Sequence, residues 1–159
     1  MQQTADAFRA LKILHLALLG GLTIMAIVSL IVRFSGSMET IEDALLEQVM
    51  QVVAVILSLG AILFGYNLFK NKIAGIRNST QTAEARMELY RAACIVWWAM
   101  LEGPGLFAVI GFLLTGNYAF FALGLFHSTL LALFMPRKEN IILLLNLTSD
   151  EVARLEGKM

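Results

Sequence analysis

Four uninterrupted apolar runs constrain this chain more than any other feature. They are Ile13 to Val32, about Val49 to Phe69, about Ala92 to Leu114, and about Tyr118 to Met135. A bilayer core about 30 Å thick needs roughly 20 apolar residues per helical crossing, and the short fourth run still lies within the range. The runs are continuous rather than alternating, which predicts helices and not barrel strands. Composition agrees. Of 159 residues, 58% are hydrophobic and 15% charged, with a mean hydropathy of +0.75. A soluble domain carries about 25% charged residues. The same hydrophobicity argues against disorder. The net charge of +0 removes a whole-molecule case for nucleic acid binding. The single Cys94 rules out an internal disulfide framework and a cysteine zinc cluster. The expected fold is therefore all-α: an integral membrane protein, a four-helix bundle with four transmembrane helices.

The first run is longer than the roughly 7–15 apolar residues of a cleaved leader, and no small-residue cleavage pattern follows in Val32-Arg33-Phe34-Ser35. It is expected to remain as a span. Basic residues set the orientation. Arg9 and Lys12 precede span one. Lys70, Lys72, Arg77, Arg86 and Arg91 lie between spans two and three. Arg137, Lys138, Arg154 and Lys158 follow span four. All of these fall on one side if both termini face the cytoplasm, and only Arg33 falls on the other. The outer loop between spans one and two is acidic, with Glu39, Glu42, Asp43 and Glu47. Residues 1–136 form the membrane domain and 137–159 a short cytoplasmic tail. The expected location is the cell (inner) membrane.

The pieces outside the spans carry local signals. Ser35 to Gln48 is expected to extend span two as an amphipathic turn, with Ile41, Leu45 and Leu46 on one side. Arg77-Asn78-Ser79-Thr80 reads as a turn. Thr82-Ala83-Glu84 opens a helix that runs into span three, since Thr caps free amides and an early Glu suits the positive helix end. After Pro136, the run Ile141 to Leu147 fits a short strand or an interfacial segment. Thr148-Ser149-Asp150-Glu151 is a capping box for a short helix ending near Glu156, before Gly157. That helix either docks on this protein or a partner, or frays.

Inside the spans, one residue stands apart. Glu102 is the only carboxylate within any run. It lies eleven residues after Arg91, roughly 16 Å deep at about 1.5 Å per residue. A charge at that depth costs at least about 2.5–3.5 kcal/mol. His127, ten residues before Arg137, is expected at a similar depth, with Ser128 and Thr129 beside it. Ser58 on span two and Thr23 on span one sit near the same level. A Glu and a His at one depth can share a proton. The alternative is a set of satisfied interior side chains that hold the helices together. Glu102, His127, Ser58 and Thr23 are thus the candidate ion- or proton-binding residues. Pro104 frees the Met100 carbonyl near the acid, which serves either a cation or water site or a plain kink.

Trp97 and Trp98 suit packing or interface anchoring, and His15, near Lys12, suits the interface. Gly20, Gly21, Gly60 and Gly65 do not form a GxxxG association motif. No phosphate loop, HExxH or GxSxG is present. The scattered histidines and cysteine do not make a metal site on spacing. No enzyme activity, catalytic residue or cofactor is expected.

The stretch Cys94-Ile95-Val96-Trp97-Trp98-Ala99-Met100-Leu101-Glu102, followed by Ala108 to Leu114, resembles the carboxylate-bearing helix of rotary ATP synthase proteolipid (c) subunits. Gly60 to Gly65, Lys70 to Lys72 and Arg77-Asn78 are similar to the preceding helix and loop of that hairpin. The resemblance covers roughly Gly60 to Gly116. It implies a cytoplasmic loop and a proton- or sodium-binding role for Glu102. The chain departs from that family in the few glycines of span two, in Ser79 where the loop usually has proline, and in two flanking spans. The leading expectation is a proton- or cation-binding or translocating membrane subunit. Its partners would be the bilayer, a proton or sodium ion, and further subunits of a homo-oligomer or membrane complex. The alternative is a non-catalytic structural or partner-binding membrane protein of a larger complex, using the tail and the protruding cytoplasmic helix.

Overall fold

The computed structural model describes residues 7–41 and 43–156. Glu42, Gly157 and Lys158, used above, lie outside the described residues. Among the described residues six helices follow one another: α1 (Ala7–Phe34), α2 (Ala44–Arg77), α3 (Ala83–Thr115), α4 (Tyr118–Leu133), α5 (Lys138–Leu145) and α6 (Ser149–Leu155). Among the described residues there is no strand. α1, α2 and α3 are each long and apolar enough to cross a membrane, and α4 joins them if counted with α5, from which it is bent by 70°. A multi-pass membrane protein is compatible with this architecture.

Each boundary has a local cause. The Asp43 carboxylate accepts from the Leu45 and Leu46 amides at 2.9 and 3.0 Å and starts α2. Thr82 caps α3 through the Ala85 amide, and Asn117 caps α4 through the Ala119 amide. α3 runs through Pro104 without a break and ends at Gly116, whose φ of +72° suits glycine. The two-residue link Gly116-Asn117 folds α4 back antiparallel against α3.

α3 is the central helix. It packs against α1, α2 and α4, while α1 also touches α4. Lipid tails are as apolar as leucine, so packing and close approach hold such helices together. Three contacts fix the α3–α4 register: Gly105 against His127, Val109 against Gly124, and Trp97 against Phe134. α1 runs parallel to α3, with His15 on Trp98 and Leu22 on Gly105. α2 is antiparallel, with Gly65 against Trp97 and Met100. The N-terminal ends of α1 and α3, the C-terminal ends of α2 and α4, and the tail therefore share one end. Nearly all Lys and Arg residues lie there too. At the opposite end, the Ile41 amide bonds to the Leu114 carbonyl at 3.0 Å and Asn117 bonds to Glu47 at 2.5 Å. Arg33 reaches the Met38 carbonyl at 3.0 Å there.

The tail resolves two open alternatives. The run from Ile141 is helical to Leu145 and not a strand. The Thr148–Glu151 capping box forms and opens α6. The tail also docks on its own protein: Ile141, Leu145 and Leu155 are buried in the main cluster with Met87 and Tyr90 of α3. Each such side chain removed from water contributes about 1.5–3 kcal/mol. Arg86, buried at 7% exposure, donates to the Leu145 carbonyl at 2.8 Å and pairs with Glu151.

Candidate functional site

Levels across the bundle follow from the three registers. Thr23 on α1, Ser58 on α2 and His127 on α4 all fall level with Gly105 and Leu106 of α3. Glu102 lies three residues nearer the basic end, about 4.5 Å along the helix. His127 and Glu102 are therefore offset by nearly one turn, and no hydrogen bond or ion pair joins them. The nearest link is the backbone: the Leu101 carbonyl, adjacent to Glu102, lies beside the His127 ring.

Four environments differ sharply. Glu102 is half-buried and makes no hydrogen bond or ion pair with any described residue. His127 is fully buried, and neither ring nitrogen completes a hydrogen bond. Ser58 is buried with its hydroxyl unpartnered. Thr23 is exposed, and its hydroxyl bonds to the Leu19 carbonyl of its own helix at 2.7 Å. Ser128 and Thr129 do the same, to Gly124 and Leu125 at 3.0 and 2.9 Å. Thr23, Ser128 and Thr129 line a groove between α1 and α4 rather than the interior facing α2. The structure thus brings His127 and Ser58 to one buried level and leaves Thr23 on an outer seam.

His15 departs from the expectation. It faces the bundle interior rather than the lipid or water. It is fully buried, its ring 4.6 Å from Trp98 in an edge-to-face pair, and both nitrogens lack a partner. The reason is its helix face: Leu11, His15, Leu22, Ala26 and Ser29 form one buried stripe of α1. That stripe is unreadable from a sequence apolar all round, so only the histidine itself signals it. Trp98, Glu102 and Gly105 stand at i, i+4 and i+7 on α3, one helical stripe. His15 meets this stripe at Trp98 and His127 meets it at Gly105. Glu102 is therefore between two buried histidines in depth, about 6 Å from the level of one and 4.5 Å from the other.

A buried polar group without a partner costs about 1–3 kcal/mol. The orphans in the bundle are His15, Ser58, Trp97 Nε1 and His127, with Arg86 Nε near the tail. Trp97 and Trp98 are packing residues, at 2% and 1% exposure. Cys94 is buried and free. Among the described residues, no group of three His, Cys, Asp or Glu side chains is arranged to hold a metal. The arrangement sets one carboxylate and two imidazoles, groups that can each carry a proton, along one stripe. Comparison with protein-family models, with curated proteins and with solved structures returned no match.

Proposed function

We propose that this chain is a non-enzymatic, multi-pass subunit of the cell (inner) membrane in which Glu102 reversibly binds a proton or a cation. In this reading four helices cross the bilayer, α4 with help from the bend into α5, and both termini face the cytoplasm. The gathering of basic residues at one end supports that orientation.

One observation carries the functional reading. The mid-span carboxylate has no donor of its own, and it stands on one helical stripe between two buried histidines, His15 with neither nitrogen partnered and His127 with only the Leu101 carbonyl beside its ring. A carboxylate ion in hydrocarbon is costly and its presence there is functional by default. With no internal donor, it is satisfied by a proton, a cation or a donor from a neighbouring subunit. His127 and His15 are then proton-exchange partners, and Ser58 supplies a hydroxyl at the level of His127. Thr23 takes no part. The proteolipid-like context of Glu102 supports the same role.

A carbodiimide couples to a protonated carboxyl in apolar surroundings, so it reads the state of Glu102. With the full chain in liposomes, modification at Glu102 is expected to fall as pH rises and to be absent in Glu102→Gln. Protection by sodium identifies a cation site. Modification independent of pH and sodium, or none at Glu102, would overturn the reading in favour of a purely structural subunit.

A further inference from the structure

Outside the Glu102 stripe, two concave features share one seam. The first is a cavity of about 490 Å³ at the basic end, where Arg9 and Lys12 of α1 face Arg137 and Lys138 at the α4–α5 bend, with Phe8 and Pro136 as apolar walls. These cations come from opposite ends of the chain. Among the described residues, Glu139 lies in the lining and Glu156 pairs with Lys138. Lys12 and Arg137 make no ion pair with a described residue, and they keep a positive excess around the hollow. α5 begins at the same place. Its N-cap, Arg137, makes no side-chain capping bond, and the first amide to find an intrahelical acceptor is that of Ile141, at 3.0 Å from the Arg137 carbonyl. The amides of residues 138–140 therefore lack an intrahelical acceptor and add positive potential.

The second feature is the α1–α4 groove of about 380 Å³, almost wholly apolar in its lining. Lys12, Leu16, Leu19, Thr23, Ile27 and Leu30 follow one another at three- and four-residue steps, so the cavity and the groove lie on one stripe of α1. On α4 the groove runs from Phe121 to Ala132, and Pro136 of the cavity is the next step of that stripe. The groove begins at Leu19, about 10 Å past Lys12, and runs about 16 Å along α4, so an acyl chain entering from the basic end lies along its near half, as far as Thr23 and Ser128. A basic hollow in line with an apolar groove on the same stripe of α1 and α4 has the charge and the order of surfaces that suit an anionic amphiphile.

We propose that the α1–α4 seam binds an anionic phospholipid of the cytoplasmic leaflet. Its phosphate headgroup sits among Arg9, Lys12, Arg137 and Lys138, and an acyl chain lies along the groove as far as Thr23 and Ser128. The site gives Thr23 a place that the proton-binding stripe does not. It rests on the membrane placement of the bundle and is independent of Glu102.

The test uses the full chain in detergent, with thermal stability and native mass spectrometry as readouts. Phosphatidylglycerol and phosphatidylcholine of matched chains are compared, with inorganic phosphate as the soluble source of the same headgroup chemistry. Phosphatidylglycerol is expected to stay bound and to stabilise the protein, with a preference of about tenfold or more over phosphatidylcholine. Lys12→Gln with Arg137→Gln abolishes that preference, while Lys70→Gln with Lys72→Gln, at the same end but off the seam, retains it. Ala132→Phe, which fills the groove and leaves the cations, weakens retention of both lipids. Glu102→Gln keeps the preference, which separates this site from the proton-binding reading. Equal retention of the two lipids, an equal loss in the Lys70 and Lys72 control, or equal stabilisation by inorganic phosphate would each overturn the proposal.

Discussion

Gly65 and Gly60 lie on the same helix and differ in what faces them. A Cβ on Gly65 would lie 2.9 Å from Met100 Sδ and 2.9 Å from Trp97 Cζ3, whereas one on Gly60 would meet nothing within 4 Å. Gly65→Ala is therefore expected to destabilise by about 1–3 kcal/mol, the usual cost of overfilling a packed contact. Gly60→Ala is expected to be neutral or to stabilise by up to about 1 kcal/mol through helix propensity. Unfolding midpoints of the two variants in the same detergent check the pair. At this scale the sequence exposed Glu102 plainly, because it is the one acid in any apolar run. It did not expose the environment of His15. A histidine three residues from Lys12 looks interfacial, and only the buried stripe of α1 shows that it faces Trp98 instead.

The tail is the element whose behaviour follows most directly from named contacts. Arg86 holds both the last carbonyl of α5 and the first-turn acid of α6. Arg86→Ala leaves the Leu145 carbonyl and Glu151 without that partner and is expected to weaken docking by about 1–3 kcal/mol. Faster amide exchange or proteolysis confined to residues 138–156 would report it. Glu151 also makes docking sensitive to acid. The Thr148 amide, at 2.8 Å, and then Arg86 hold its carboxyl below the ordinary carboxylate range. A lowered folded-state value means the carboxylate contribution is complete above the unfolded value, about 4.3. It is lost as pH falls below that and through the lower folded-state value. Tail exchange should therefore rise in that acid window, and Glu151→Gln should remove the dependence. The capping box was legible because its four residues act on one another locally. The helicity of Ile141 to Leu145 was not, since a short apolar run fits strand, interface or helix until its partners on α3 are known.

For the whole molecule, the helical character of the apolar runs was legible because hydropathy over twenty residues is a bulk property, while α2 and α3 extend well past their runs, to Ala44–Arg77 and Ala83–Thr115. Which face of each helix turns inward was not, because helices apolar on every side carry no contrast. Inter-helix register is equally silent, and it is register that separates Glu102 from the level of His127 and brings in His15. The proposed topology has a direct check. In a Cys94→Ala background, Ser37→Cys should react with an impermeant thiol reagent from outside intact cells, and Ser79→Cys only after permeabilisation. The reverse pattern, or equal reaction, would contradict the orientation. The central claim, that Glu102 reversibly binds a proton or cation and so carries it across the bilayer, is tested most directly by flux through the reconstituted protein. Liposomes holding the native chain are expected to dissipate a proton or sodium gradient faster than empty ones, and those holding Glu102→Gln to match empty ones. Flux unchanged by Glu102→Gln, or none from the native chain, would contradict the account.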